Sequence, residues 1–252
     1  MNAQSHASST RVDEIADGIF RISTPVPASV VRGGFTFKQF LIRDAEPLLF
    51  HTGPRMLFEA VREAIQRIIQ VATLRYISFS HVEADECGSL NQFLPAAPHA
   101  VPLCGQVAAM VSIMNLADRP PRARADQERL TLGRHTVQWI DAPHLPHGWE
   151  CGFLTETTTR TLFCGDLFTQ FGEVHPAITE DDILEPSEAR RAGMDYYSHS
   201  PDTGRLLERL AATTPTTPTT PTTLACMHGP AWRGSAAKSC RAARVSADPT
   251  LI

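Results

Sequence analysis

No CxxC pair occurs among the six cysteines of this 252-residue chain. Six scattered thiols are too sparse for a secreted disulfide scaffold; they fit buried small side chains in a reducing, cytoplasmic compartment. No run of about 18 apolar residues exists, so no segment is expected to span a membrane. The stretch from Met1 to Gly18 is polar and lacks the apolar centre of a secretory signal. Lys and Arg number 23 against 27 Asp and Glu, a net charge of −4, and they form no stripe, so no nucleic-acid footprint is expected. A glycine-rich phosphate loop is also missing; Gly33 and Gly34 sit in a turn context. The remainder is ordinary: 42% hydrophobic residues give enough core for one large domain.

Short apolar or alternating runs predict strands at Asp17–Ile22, Thr36–Ile42, Pro47–Thr52, Leu74–Phe79, Ala100–Leu103, His135–Ile140 and Leu224–Met227. Cys151–Glu156 and Thr161–Cys164 predict a hairpin about the Thr157–Arg160 turn. Amphipathic spacing predicts helices over Met56–Val71, Ser89–Leu94, Gln106–Leu116, Pro186–Tyr197 and Asp202–Ala212. Ala117–Arg129 reads as a surface loop. Strands and helices alternate through both halves, which predicts an α/β or α+β sandwich.

Polar clusters fall at the carboxyl ends of four predicted strands: Ser80–Glu86, Asp141–His147, Gly165–Asp166 and His228. Open α/β sheets place their sites there. Singly these residues are unremarkable, and His6, His51, His99, His135, His175 and His199 are read as ordinary imidazoles. Jointly, His81, Glu83, Asp85, Glu86, His147, Asp166 and His228 supply three imidazoles and four carboxylates. Burying so many acids without a cation is costly, so the set predicts a binuclear metal site.

The motifs SHVEADECG, PHLPHGWE, LFCGDLF and ACMHGPA resemble the metallo-β-lactamase superfamily over about residues 15–232. His81-x-Glu83-x-Asp85 resembles the branch in which the second histidine of HxHxDH is glutamate, that of the flavodiiron and oxygen-binding di-iron proteins. The resemblance implies a four-layer αββα sandwich with the metals at one edge of its sheets. It implies that His81, Glu83 and His147 hold the first metal, that Asp85 and His228 hold the second, and that Asp166 bridges them. His144 competes with His147 for the third-ligand role; the 19-residue spacing from His147 to Asp166 favours His147 and leaves His144 in a supporting one. Cys87 and Trp149 are expected beside the ligands. Glu86 stands where the superfamily has histidine, and two roles stay open: a ligand of the second metal, or a side chain turned away that leaves the position to water.

Three imidazoles with at least three carboxylates are harder and more anionic than the five-imidazole hydrolytic pattern. They favour two Fe ions, with Mn or Zn as alternatives. The expected function is binding of O2 or a related diatomic, as a sensor or as a reductase fed by a separate electron donor, since no flavin domain fits. The alternative is a metal-dependent hydrolase of an ester, lactone, thioester or amide, acting through a metal-bridging hydroxide that Asp85 helps to orient. A homodimer is compatible with either. Cys164 and Cys226 are expected to pack in the core. Phe168, Phe171, Tyr196 and Tyr197 are candidate pocket walls. At the ends, residues 1–14 read as an unstructured lead. The Thr/Pro tract 213–223 reads as a lengthened loop. Residues 233–252 read either as a disordered tail or as an out-of-frame translation.

Overall fold

The computed structural model describes residues 9–211 and 221–235. Strands β1 (Arg11–Ala16), β2 (Ile19–Val26), β3 (Phe35–Ile42), β4 (Leu48–Phe50), β5 (Tyr76–Ser78), β6 (Val101–Gly105) and β7 (Arg122–Arg124) lie in chain order in one sheet. A second sheet holds β8 (Arg129–Thr131), β9 (Thr136–Asp141), β10 (Gly152–Glu156), β11 (Thr161–Phe163), β12 (Ile178–Thr179), β13 (Thr223–Ala225) and β14 (Ala231–Arg233). Its spatial order is β12-β14-β13-β11-β10-β9-β8. The first sheet opens with antiparallel pairs and turns parallel from β4 to β7, where helical crossovers make the connections.

Period-two patterning builds the layers. In β3, Phe40 and Ile42 face the second sheet while Leu41 faces the helices; in β10, Leu154 faces inward and Phe153 outward. The inter-sheet layer holds Phe50, Trp139 and Phe163, all within 1% of full burial. Helices Phe58–Gln66 and Leu90–Ala96 and the helix over 106–116 cover the first sheet, through Val61, Ile65, Phe93 and Ile113. Helix Thr203–Ala211 covers the second through Leu206, Leu207 and Leu210. Each such side chain contributes about 1.5–3 kcal/mol when fully buried. The result is the expected four-layer αββα sandwich.

Several boundaries differ from the sequence reading. The lead enters the first sheet at Arg11, before the expected limit of residue 14, because Asp13 pairs with buried Arg21 at 3.0 Å and Ile15 is buried between the sheets. The strand expected from Asp17 starts at Ile19, since Gly18 at φ +68° makes the turn. A one-turn helix, Ala84–Cys87, lies within the polar interruption. The expected loop at Ala117–Arg129 contains β7 and ends on the first residue of β8. The helix over 106–116 has a π-helical middle, Ala109–Ile113. Strands β12 and β14 have no counterpart in the reading. Thr223, the last residue of the Thr/Pro tract, opens β13; residues 212–220 lie outside the described residues. Arg233 closes β14 and donates to the Ile15 carbonyl at 2.9 Å, and the tail from 236 onward lies outside the described residues.

Candidate metal centre

All four site segments leave their strands at the same edge of the sandwich. β5 ends at Ser78, and two residues on, Ser80 and His81 are buried. Glu83, in extended backbone, starts the one-turn helix that carries Asp85 and Glu86. β11 ends at Phe163, and Gly165 at φ +49° turns the chain so that Asp166 faces the edge. A Cβ on Gly165 would stand 2.9 Å from Ser80 Oγ, so that turn also needs the space only glycine leaves. β13 ends at Ala225 and leads to His228; the loop after β9, with its cis Leu145–Pro146 bond, delivers His147. Backbone bonds lock these segments together: Gly152 N to Ser80 O at 2.9 Å, Met227 N to Gly165 O at 3.3 Å and Gln170 N to His228 O at 3.1 Å.

The side chains converge as two imidazole-bearing donor groups that share Asp166, and Glu83, Asp85 and Glu86 form a third group. His81, Glu83, His147 and Asp166 offer ligand atoms within 4.8 Å of one another, as do Asp85, Asp166 and His228. In the first group, His147 Nε2 is 3.1 Å from His81 Nε2, 3.2 Å from Asp166 Oδ2 and 3.4 Å from Glu83 Oε1. In the second, His228 Nε2 is 3.2 Å from Asp166 Oδ1 and 3.5 Å from Asp85 Oδ2. Two neighbouring donors on one ion, at bonds of about 2.1 Å, stand roughly 3.0–3.4 Å apart. The donor set therefore fits a pair of ions with Asp166 between them. Glu86 is fully buried, its Oε1 3.9 Å from His81 Nε2. Both of its oxygens lack a hydrogen-bond donor. Buried acceptors left so are explained by a bound cation.

The acids and imidazoles of the centre perturb one another strongly. Burial pushes the Glu86 carboxyl well above the usual range, and the charges of Asp166 and Asp85 push it further. Burial also acts against ionised Asp166, yet the imidazoles of His147 and His228 hold it well below the usual range. The same contacts raise His147 to about 10 and His228 to about 9, overcoming the downward effect of burial. Glu83 is lowered to about 2, chiefly by hydrogen bonds with His147 and His81.

Each imidazole is held from behind. His147 Nδ1 is 2.8 Å from the Tyr196 carbonyl and His228 Nδ1 is 2.8 Å from the Thr36 carbonyl, so both donate there and turn Nε2 to the centre. His81 Nδ1 is 3.0 Å from Ser80 Oγ, which is 3.1 Å from His51 Nε2. Phe35 stacks on His228 with ring centroids 4.2 Å apart. A cleft of about 190 Å³ opens onto the donors, walled by Phe35, Thr169, Arg190, Met194 and Tyr196.

The structure brings together His81, Glu83, Asp85, Glu86, His147, Asp166 and His228. Glu86 is buried beside the donors, which is compatible with either of the two roles left open for it. Three supporting residues fare differently. Cys87 sits behind the centre, donating to the Glu83 carbonyl at 3.3 Å, with burial raising its thiol to about 12. Trp149 is 57% exposed and does not line the cleft: its loop turns it outward. His144 is exposed and acts through its backbone, its carbonyl accepting from Ser198 Oγ at 2.5 Å. Among the aromatic candidates, Tyr196 walls the cleft, whereas Phe168 and Tyr197 belong to the core. His51, Thr36, Phe35 and Arg190 were not legible as site residues; only His51, at the carboxyl end of β4, carried a signal of the kind that marked the others.

A family model, ODP family beta lactamase, matches residues 35–197. The chain is 29% identical over 164 residues to diflavin flavoprotein A 1 of Thermosynechococcus vestitus, a match covering 62% of this chain and 28% of that protein. It is 32% identical over 143 residues to diflavin flavoprotein A 2 of a Synechocystis strain, covering 55% and 24%. The chain thus spans about a quarter of the length of these relatives. Among solved structures, the rubredoxin oxygen:oxidoreductase of Desulfovibrio gigas superposes with a TM-score of 0.79 at 19% identity, covering 94% of this chain and 60% of that one. The fragment 1–254 of diflavin flavoprotein A 5 from a Nostoc strain gives 0.79 at 16% identity, covering 95% of each. At these identities the structural likeness establishes the fold.

Proposed function

The chain belongs to the ODP family beta lactamase, and from that premise we propose that it is a binuclear non-haem iron protein that binds O2 or a related diatomic, as a sensor or as a reductase fed by a separate electron donor. The observation that carries the proposal is Asp166, whose Oδ2 faces His81 and His147 while Oδ1 faces His228. A carboxylate so placed suits two ions. The first would be held by His81, Glu83 and His147, the second by Asp85 and His228, with Glu86 beside them. Iron is favoured over zinc by the carboxylate excess, and in particular by Glu83 among the first-metal donors. The names of the similar proteins, diflavin flavoproteins and a rubredoxin oxygen:oxidoreductase, support the same reading.

Iron bound there supplies redox equivalents and open coordination positions for a diatomic. The chain's own residues provide the rest. The Tyr196 and Thr36 carbonyls hold His147 and His228 in one orientation and tautomer. Phe35, stacked on His228, keeps water off one side of the cleft. Burial, reinforced by the charge of Asp166, raises the Tyr196 hydroxyl, so this wall keeps its proton at neutral pH. The cleft is small, which suits a diatomic better than an ester or amide of any bulk. All five cysteines among the described residues are free, which supports a reducing cytoplasmic setting. No helix among them is long and apolar enough to cross a membrane.

The test compares iron-loaded with zinc-loaded protein. Oxygen should change the optical spectrum of the reduced iron form and leave the zinc form silent. Ester or lactone turnover by the zinc form, with an iron form indifferent to oxygen, would establish the hydrolase instead.

A further inference from the structure

A second polar site, with no metal donor in its lining, lies within the inter-sheet layer. The antiparallel register sets Arg11 opposite Ser23, Asp13 opposite Arg21, and Ser23 opposite Lys38, and cross-strand partners share a face. That face is the inward one, because Ile19 and Phe40 on the same strands pack into the core between the sheets. The layer that is apolar around Phe40 and Phe50 is therefore cationic at this end. Arg21 is 2% exposed and Lys38 fully buried. Arg21 donates to the Pro176 carbonyl at 2.9 Å and to Asp13 at 3.0 Å, but its buried Nε has no acceptor. Among the described residues, the Lys38 ammonium bonds only to the Thr36 hydroxyl. The buried Nε2 of His175 sits against the backbone of Gly172, where a Cβ would come within 2.9 Å of it.

These groups surround a cleft of about 200 Å³ lined by Arg11, Arg21, Ser23, Glu173 and His175. Facing it or directly behind it are Arg11, Arg21 and Lys38, against Asp13, which pairs with Arg21, and Glu173, whose carboxylate accepts from Ala28 N. Burial and the charge of Arg21 push the Lys38 pKa well below its usual range, so this buried end of the layer holds basic side chains without a matching anion. The volume is below the roughly 300 Å³ at which pockets for drug-sized ligands begin, so the ligand is small.

We propose that this cleft binds a small oxyanion, a sulfate- or phosphate-like group held by Arg11, Arg21, Ser23 and His175 with Lys38 behind it. Arginine forks and a hydroxyl match tetrahedral oxyanions. No residue of the metal centre takes part, so the site stands or falls independently of the iron reading.

The test titrates the full chain with sulfate against chloride at equal ionic strength, reading thermal midpoint and the His175 ring resonance. Sulfate should raise the midpoint saturably. It should also raise the His175 pKa from its value of about 4, where burial and the charges of Lys38 and Arg21 hold it. Arg11→Gln, at an exposed position, should weaken sulfate binding roughly tenfold. Ser23→Asp, which puts a carboxylate opposite Lys38, should abolish the response. Phenyl phosphate distinguishes the sources: tighter binding than sulfate marks the end group of a larger ligand, and weaker binding marks a free oxyanion. An equal midpoint rise in wild type, Arg11→Gln and Ser23→Asp, with His175 unmoved, is general salting and overturns the site. Should Ser23→Asp not fold, Arg11→Gln and His175 decide the matter alone.

Discussion

Asp166 Oδ1 lies 3.2 Å from His228 Nε2, and this contact joins two segments from different strands of the second sheet. The other oxygen of Asp166 lies 3.2 Å from His147 Nε2. One buried carboxylate thus belongs to both imidazole-bearing donor groups. Asp166→Asn keeps the shape and removes the charge. It should lower bound iron from two to one or fewer per chain with the far-ultraviolet circular dichroism unchanged. Two firmly held ions in this variant would remove Asp166 from the bridging role.

Glu86→Gln tests whether the buried, unpartnered carboxylate belongs to the centre. Metal affinity should fall about 10- to 100-fold, a loss typical even of residues one step removed from a metal. Measured by competition with a chromophoric chelator, an unchanged affinity would leave Glu86 as a buried neutral acid with no part in binding.

Glu83→His exchanges a hard donor for an imidazole. The ratio of zinc to iron affinity should rise relative to wild type. Paired competition titrations read the ratio directly, and a fall would contradict the ligand-hardness argument.

Gly165→Ala combines a left-handed backbone with a Cβ at 2.9 Å from Ser80 Oγ. A loss of about 1–3 kcal/mol is expected in chemical denaturation. Because Ser80 also supports His81, metal affinity should fall with it. Stability loss without a change in affinity would separate the turn from the centre.

Burial lowers His51 from 6.5 to about 3 in the folded chain. The unfolded state therefore binds the extra proton first as pH falls. Stability is full above the unfolded value near 6.5 and declines through the window down to about 3, by on the order of 3 kcal/mol between pH 6.5 and 4. His51→Asn suits the positive φ of 64° at this position and should flatten that decline in urea titrations at stepped pH. An unchanged slope would assign the acid sensitivity to other groups.

The strand ends that carry His81, Asp166 and His228 were legible because each follows a short apolar run. The spacing of His81, Glu83 and Asp85 was legible as a motif. The back-side contacts were not. The carbonyls of Thr36 and Tyr196 that orient His228 and His147 are backbone groups brought in from 192 and 49 residues away, and no side-chain pattern announces them. β1 was hidden by its polarity, since Arg11 and Asp13 are charges that stand opposite Ser23 and Arg21 across the strands. β12 is two residues long and is set by its parallel pairing with β14, which a local reading cannot see. Trp149 was misread because it neighbours His147 in sequence while the loop turns it to solvent.

Metal analysis of the purified wild-type chain, with optical spectra recorded before and after admitting air, tests the central claim most directly. The proposed function predicts two iron ions per chain and an oxygen-dependent charge-transfer band. Two zinc ions per chain, with ester or lactone turnover and no spectral response to oxygen, would contradict it.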